Sequence, residues 1–445
     1  LATMMTLLAV IVVAKAGYIM SAKRAYWMEV ASRVKKDSVA VKAIRGNILS
    51  CNGEIMASSL PEYRLFIDFK AIHEAGNDSL WDTKVDSISE GLSRMFPNRS
   101  KAEYRRYLQK GKEKQSRRWS IYDGRVDYNT YCEAKQLPMF RLRGYTGGFY
   151  CENFDSRQHP YGSLAERTLG TLYAGKDEAK NGLEQFYDSL LRGKNGIIHR
   201  RKVLNKYLDI TDTPPTDGAD IVTTIDVNMQ DLAERAVIGQ LNDKDVNGLV
   251  GVAIVMEVKT GDIKAIVNME RGADGKLYEM KNHAISDLME PGSVFKTVSL
   301  MTVLEDGMCD TSRIVETGNG IYDMHGRPMR DHNWRHNGYG TITMARSLEV
   351  SSNIGVSRIV EDYYGKNPEK FVEGVYRTGI TTDFKLPLNG YAPARVRMPK
   401  KNARGQWLNW SKTSLAWMSI GYETQIPPIS TLAFYNAIAN GGRMM

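Results

Sequence analysis

Two short spacings in the second half of the chain bring together groups able to transfer an acyl group. Ser293 and Lys296 stand three residues apart in MEPGSVFKTVSLMTVLEDG, residues 289–307. Pro291-Gly292 breaks the chain, and the following run predicts a helix that opens at Ser293 and ends near Gly307. Positions i and i+3 share a helical face. Val294, Phe295, Val298, Leu300, Met301, Val303 and Leu304 cover most of the circumference, which predicts a helix buried on nearly all sides. A lysine there is desolvated, which favours its neutral amine. A neutral amine beside a serine hydroxyl can act as its general base. The free N–H groups and positive dipole end of the helix start suit an oxyanion. Taken alone, the spacing is equally met by an N-cap serine followed by a lysine that snorkels to the surface. The second spacing is Ser351-x-Asn353 in LEVSSNIGVSRIV, residues 348–360. Alone it is a turn or a helix cap. Downstream of Ser293-x-x-Lys296 it adds a hydroxyl that can relay a proton and an amide that can hold a substrate carbonyl.

These groups need a frame. Pro214, Pro215 and Asp217-Gly218 form a break, taken as the domain boundary. Beyond it, ADIVTTID (219–226) reads as a strand. VNMQDLAERAVIGQL reads as a helix with Met229, Leu232, Ala236 and Leu241 near one face. LVGVAIVMEV (249–258) reads as a buried apolar strand and DIKAIVNM (262–269) as another, with KTGD at their junction as a hairpin turn. Before the break, Asn52-Gly53 in RGNILSCNGEIMASS signals a hairpin, and YRLFIDF (63–69) alternates as a further strand. Residues 80–140 read as mostly helical, and residues 21–43 as a helical stalk.

The chain has 445 residues, enough for two or three domains, and a net charge of +9. Its basic run, Arg99 to Trp119, lacks the companions of a nucleic-acid reader and reads as a solvated helix face. Cys51, Cys132, Cys151 and Cys309 form no CxxC pair, so no zinc or thioredoxin-like motif is supported. Cys132 and Cys151 could pair in an oxidising compartment, but free thiols are favoured. His332-x-x-x-His336 lacks the setting of a helical metal motif, and neither it nor His325 is read as a ligand. Trp334 and Tyr339 are read as loop packing, with cleft lining as the alternative. The stretch LATMMTLLAVIVVA is apolar, but only about 14 of the roughly 20 residues that span a bilayer precede Lys15. It is read as an uncleaved anchor. A signal peptide ending at Ala14-Lys15-Ala16 and a buried helix are the competing readings.

The two spacings, in this order, resemble the penicillin-binding serine acyltransferases, whose signatures are S-x-x-K, S-x-N and K-T-G. EPGSVFK and SSNIGVS are similar to their counterparts in the class B members. So are RGNILSCNGEIMASSLPEY, HPYGSLAERTLG (159–170), NGLEQFYDSLLRGKNG (181–196), DIVTTIDVNMQ (220–230), GVAIVMEVKTGDIKAIV (251–267) and WMSIGYETQIPPISTLAFYNAIANGG (417–442). The closing segment looks most like the cell-division type of Bacteroidetes-like bacteria.

The resemblance implies an α+β transpeptidase domain, a mixed and mainly antiparallel sheet covered by helices, over residues 216–445. Before it come a stalk and pedestal over 21–215 and a membrane anchor over 1–20. It implies septal cross-linking of peptidoglycan stem peptides through a serine acyl-enzyme, also formed with β-lactams. Ser293 is the nucleophile, Lys296 assists proton transfer, Ser351 passes a proton to the leaving amine, and Asn353 binds the substrate backbone. An elongation-type transpeptidase, a β-lactamase or carboxypeptidase, and a non-catalytic sensor or scaffold are the alternatives. No cofactor or metal is implied. The implied partners are stem peptides, β-lactams, the inner membrane, a lipid II-polymerising glycosyltransferase and other division proteins, with the body in the periplasm. In the family K-T-G follows S-x-N, whereas Lys259-Thr260-Gly261 precedes Ser293, and Ser411-Lys412-Thr413-Ser414 lacks the glycine. The triplet is therefore read as a look-alike, and the chain as truncated at both ends. Arg45, Arg157 and Glu184 are read as buried ion-pair residues that orient the two domains.

Overall fold

The computed structural model describes residues 2–24, 26–28, 38–203 and 206–445. By packing, the chain divides into two units: residues 1–46 with 189–219, and residues 47–188 with 220–445. In the first unit, the helix Ala2–Ser21 contains a segment, Thr3–Ser21, with a mean hydropathy of 1.8 and none of its surface buried. It is long and apolar enough to cross a membrane. Ser38–Val41, Gly196–Val203 and Lys206–Thr213 form a three-stranded antiparallel sheet. The helical stalk predicted over 21–43 is thus corrected at its end, where Ser38–Val41 pairs with Gly196–His199. Residues 29–37 of that stalk lie outside the described residues.

The second unit holds two cores. In the pedestal, Asn52-Gly53 turns the chain as predicted, with Gly53 at φ +82°. The strand after it, β1 (Ile55–Ile67), runs without a break through Pro61 into YRLFI and pairs antiparallel with β2 (Phe149–Gln158). Helices Asp78–Met95 and Lys101–Glu113 lie in the region read as helical, the second opened by a Ser100–Glu103 capping box. Trp81, Leu92, Tyr104, Phe140 and Phe149 are among the side chains that fill this core. Arg157 donates to Glu184 at 2.6 Å with both side chains almost fully buried, so this ion pair is present as expected, within the pedestal. Arg45, which belongs to the first unit, is also buried. All four cysteines are free thiols.

Ile221–Val222, all that forms of the strand predicted over 219–226, pairs in parallel with Ile48–Leu49 of the pedestal. Helix α1 (Val227–Leu241) follows, capped by Asp226 accepting from Asn228 and Met229 N–H. Its inward face differs from the predicted one: Met229, Leu232 and Ala236 are exposed, and Val227, Gln230, Glu234 and Leu241 are buried. Gln230 is drawn inward because its amide both donates to Ile266 O and accepts from Ile266 N, satisfying a mid-strand backbone. Strands β3 (Val250–Met256) and β4 (Ile263–Arg271) form an antiparallel hairpin, and Leu277–Tyr278 adds a third strand beyond β4. β4 is central and buried. β3 is the edge of this sheet among the described residues, so its predicted burial is only partial, with Val250 and Val255 exposed.

The larger core is helical. It joins α2 (Lys296–Glu305), α3 (Asn353–Tyr364), helix Pro368–Arg377 and α4 (Ser414–Ser419). Phe295, Val298, Leu300 and Val303 pack there with Ile354, Ile359, Val360, Phe371 and Met418. A last helix, α5 (Pro428–Ala439), is tied by the Tyr435 hydroxyl to Val294 O just before α2, at 2.9 Å, and to Thr297 Oγ1 within α2, at 2.8 Å.

Candidate active site

The predicted helix over 293–307 starts as a 3-10 turn, Gly292–Phe295, that passes directly into α2. Gly292 has φ +62°, which a glycine adopts without strain. This turn is braced from behind by the WMSIGYE segment. Gly292 N donates to Gly421 O at 3.3 Å, Ser299 Oγ to Ser419 O at 2.7 Å, and Glu423 N to Glu290 Oε1 at 2.8 Å. Ser293 is left exposed, and one turn on Lys296 is 1 % exposed. The expected burial of α2 holds for the face that carries Lys296. Val294, Met301 and Leu304 are exposed; Val294 faces an open groove of about 880 Å³ between the β3 edge, α5 and the Ser293 turn.

Lys296 does not snorkel. Its Nζ donates to Ser351 Oγ at 3.0 Å and to Ser351 O at 2.7 Å. Burial pushes the ammonium down to about 8, while the negative charge of Asp331 acts the other way. Ser351 sits in a left-handed turn at φ +52°, an uncommon place for a residue with a Cβ. The turn is held by its neighbours. Ser352 caps α3 by accepting from Gly355 N at 2.8 Å, and Asn353 Nδ2 donates to Arg330 O at 2.8 Å. The structure therefore brings Lys296 and Ser351 into direct contact, places Ser293 at the exposed start of the same helical segment, and sets Asn353 two residues beyond Ser351.

Asp331 carries no signal in the sequence. It is 1 % exposed, and its carboxylate accepts from Ser352 Oγ at 2.7 Å and from Ile354 N at 3.0 Å. In the rest of its loop, the guanidinium groups of Arg330 and Arg335 lie over the Trp334 ring at 4.9 and 5.0 Å, and Tyr339 Oη meets His332 Nε2 at 2.9 Å. His325 pairs with Glu361 at 3.3 Å.

Lys259-Thr260-Gly261 forms the β3–β4 turn. Gly261 N donates to Glu257 O at 2.9 Å, Thr260 Oγ1 to Glu257 Oε2 at 3.2 Å, and Gly261 has φ +76°. Its hydrogen bonds stay within its own hairpin, and Met445 packs closely against Gly261.

Two family models match the chain: "Penicillin-binding Protein dimerisation domain" over residues 40–223 and "Penicillin binding protein transpeptidase domain" over 251–445. The chain belongs to the class B penicillin-binding proteins, which join these two domains. A probable peptidoglycan D,D-transpeptidase PenA of Neisseria gonorrhoeae is 24 % identical over 91 % of the chain and 65 % of its own length. Peptidoglycan D,D-transpeptidase FtsI of Escherichia coli K12 is 23 % identical over 90 % and 63 %. Among solved structures, penicillin-binding protein 2X of Streptococcus thermophilus superposes with a TM-score of 0.70 at 19 % identity, covering 92 % of this chain and 60 % of that one. The chain thus spans somewhat under two thirds of the length of these relatives.

Proposed function

We propose that the protein is a peptidoglycan D,D-transpeptidase that works through an acyl-enzyme on Ser293, at the cell septum. The observation that carries this reading is the Lys296–Ser351 contact inside the core, one turn from an exposed serine. With its amine pushed down to about 8, roughly a tenth of Lys296 is neutral at pH 7. That fraction takes the Ser293 proton as its oxygen attacks the carbonyl between the two terminal D-alanines of a stem peptide. N–H groups at the start of the helical segment face the developing oxyanion. The proton passes through Lys296 and Ser351 to the departing D-alanine amine. Asn353 uses its side-chain carbonyl to hold the substrate backbone. An amine from a neighbouring stem peptide then attacks the ester and frees Ser293. A β-lactam enters by the same attack, and its opened ring stays on the serine.

The substrate carboxylate needs a cationic partner, which the K-T-G element supplies in this family. The apolar helix Ala2–Ser21 supports a single-pass inner-membrane anchor with the body in the periplasm. Stem peptides, and in the cell a lipid II-polymerising glycosyltransferase and other division proteins, are the partners this reading assigns. Replacement of the chromosomal copy by the Ser293→Ala variant tests the role. Filamentous cells with reduced cross-linking support a septal transpeptidase. Rounded cells point to elongation, and unaltered cross-linking refutes catalysis.

A further inference from the structure

We propose that Asp331 is a positioning residue for acylation: its buried carboxylate clamps the turn that carries Ser351 and Asn353 and sets the electrostatic field at Lys296. The inference rests on the acyl-enzyme reading above. Three contacts join residues 330–331 to residues 352–354: Ser352 Oγ to Asp331 Oδ2 at 2.7 Å, Ile354 N to Asp331 Oδ1 at 3.0 Å, and Asn353 Nδ2 to Arg330 O at 2.8 Å. They hold the three residues that directly follow Ser351, and the Ser351 backbone itself lies at φ +52°. Such a conformation persists only where its surroundings over-determine it. Asp331 is anchored in turn, its N–H donating to Gly320 O at 3.0 Å and its carbonyl accepting from Trp334 N at 3.2 Å.

The partners of the carboxylate are neutral donors, an arrangement that leaves its charge unspent. The flanking ionisable groups are engaged elsewhere: Arg330 and Arg335 stack on Trp334, and His332 bonds Tyr339. The hydrogen bonds to the clamp come from Ser352, the cap of α3, and from Asn353 and Ile354 in its first turn. From α2 the group that feels the charge is Lys296, whose ammonium Asp331 favours against the effect of burial. The same side chain therefore fixes where the Ser351 hydroxyl sits and how readily its lysine partner gives up a proton.

The test uses the full-length protein with a fluorescent penicillin, measuring the acylation rate from pH 6 to 9.5 and thermal stability for wild type, Asp331→Asn and Ser352→Ala. Asp331→Asn keeps a hydrogen-bonding side chain but loses the charge. Its rising limb should move down by about one pH unit, as expected for removing a nearby opposite charge. Ser352→Ala keeps the charge and loosens the clamp. It should acylate roughly tenfold more slowly with the midpoint unmoved. An Asp331→Asn midpoint equal to wild type, whatever its plateau, means a merely structural residue and overturns the inference. So does a Ser352→Ala variant as fast as wild type, a result that decides even if Asp331→Asn does not fold. Wild type that is not labelled at Ser293 defeats the acyl-enzyme reading itself, and this inference with it. Labelled wild type with an unmoved Asp331→Asn midpoint defeats this inference alone.

Discussion

Replacing Gly421 by alanine should disable the nucleophile while leaving the fold in place. A Cβ built on Gly421 would lie 2.1 Å from the carbonyl oxygen of Gly292 and 2.7 Å from its nitrogen. Those are backbone atoms of the turn that presents Ser293, so relief requires the turn to shift by about 1 Å. Gly421 also has φ +88°, where an alanine is disfavoured by roughly 1–2 kcal/mol. Overpacking adds about 1–3 kcal/mol, for a total near 3 kcal/mol. A displacement of about 1 Å at a reacting group lowers the rate by roughly 100-fold. Gly405→Ala is the control: it shares the strained backbone at φ +77° but has nothing within 4 Å of its Cβ. It should be less stable by about 1 kcal/mol with normal acylation. Urea unfolding gives the stabilities, and penicillin acylation under pseudo-first-order conditions gives the rates. A Gly421→Ala protein that acylates within about twofold of wild type would refute the claim that this contact sets the Ser293 turn.

Other outcomes follow from the same geometry. Lys296 is neutral above about 8, so wild-type acylation should rise roughly tenfold from pH 7 to pH 9 and then level. A flat profile would remove the lysine from the proton path. Lys259→Ala should label as well as wild type, because Lys259 belongs to a hairpin turn; strongly reduced labelling would put that triplet back in the site. Glu279 is half-buried, accepting from Arg167 N at 3.0 Å and Asn268 N at 2.9 Å, and burial pushes its carboxyl up to about 7. A carboxyl raised above its ordinary 4.5 stabilises the fold fully below that value and loses this contribution as pH rises through 7. Thermal unfolding should therefore show the advantage of wild type over Glu279→Ala shrinking by about 3 kcal/mol between pH 4 and pH 8. An advantage that grows over that range would contradict the assignment.

Much of this arrangement was legible because it is written locally. The break at Pro291-Gly292, the i, i+3 spacing of Ser293 and Lys296, and the apolar residues around the lysine foretell a buried amine near an exposed hydroxyl. Asn52-Gly53 foretells a hairpin, and Lys259-Thr260-Gly261 was recognisable as a turn from the apolar runs on both sides. What escaped depends on distant partners. Gln230 turns inward on α1 because a strand 36 residues away offers both a donor and an acceptor, which no periodicity records. Apolar residues on β3 read as buried, yet a sheet edge is known only once its neighbours are placed. Ser38–Val41 lies in a segment read as helical and becomes a strand through pairing with residues more than 150 positions on. Asp331 looked like one more polar residue in a loop rich in histidine and glycine, because its partners Ser352 and Ile354 lie 21 and 23 residues downstream.

The central claim is that Ser293 forms the acyl-enzyme. Full-length protein is treated with a fluorescent penicillin, digested, and the labelled peptide is sequenced by mass spectrometry. The adduct is expected on the peptide containing EPGSVFK, at Ser293, and is lost in Ser293→Ala. An adduct on Ser351, on Lys296 or on any other residue would contradict it.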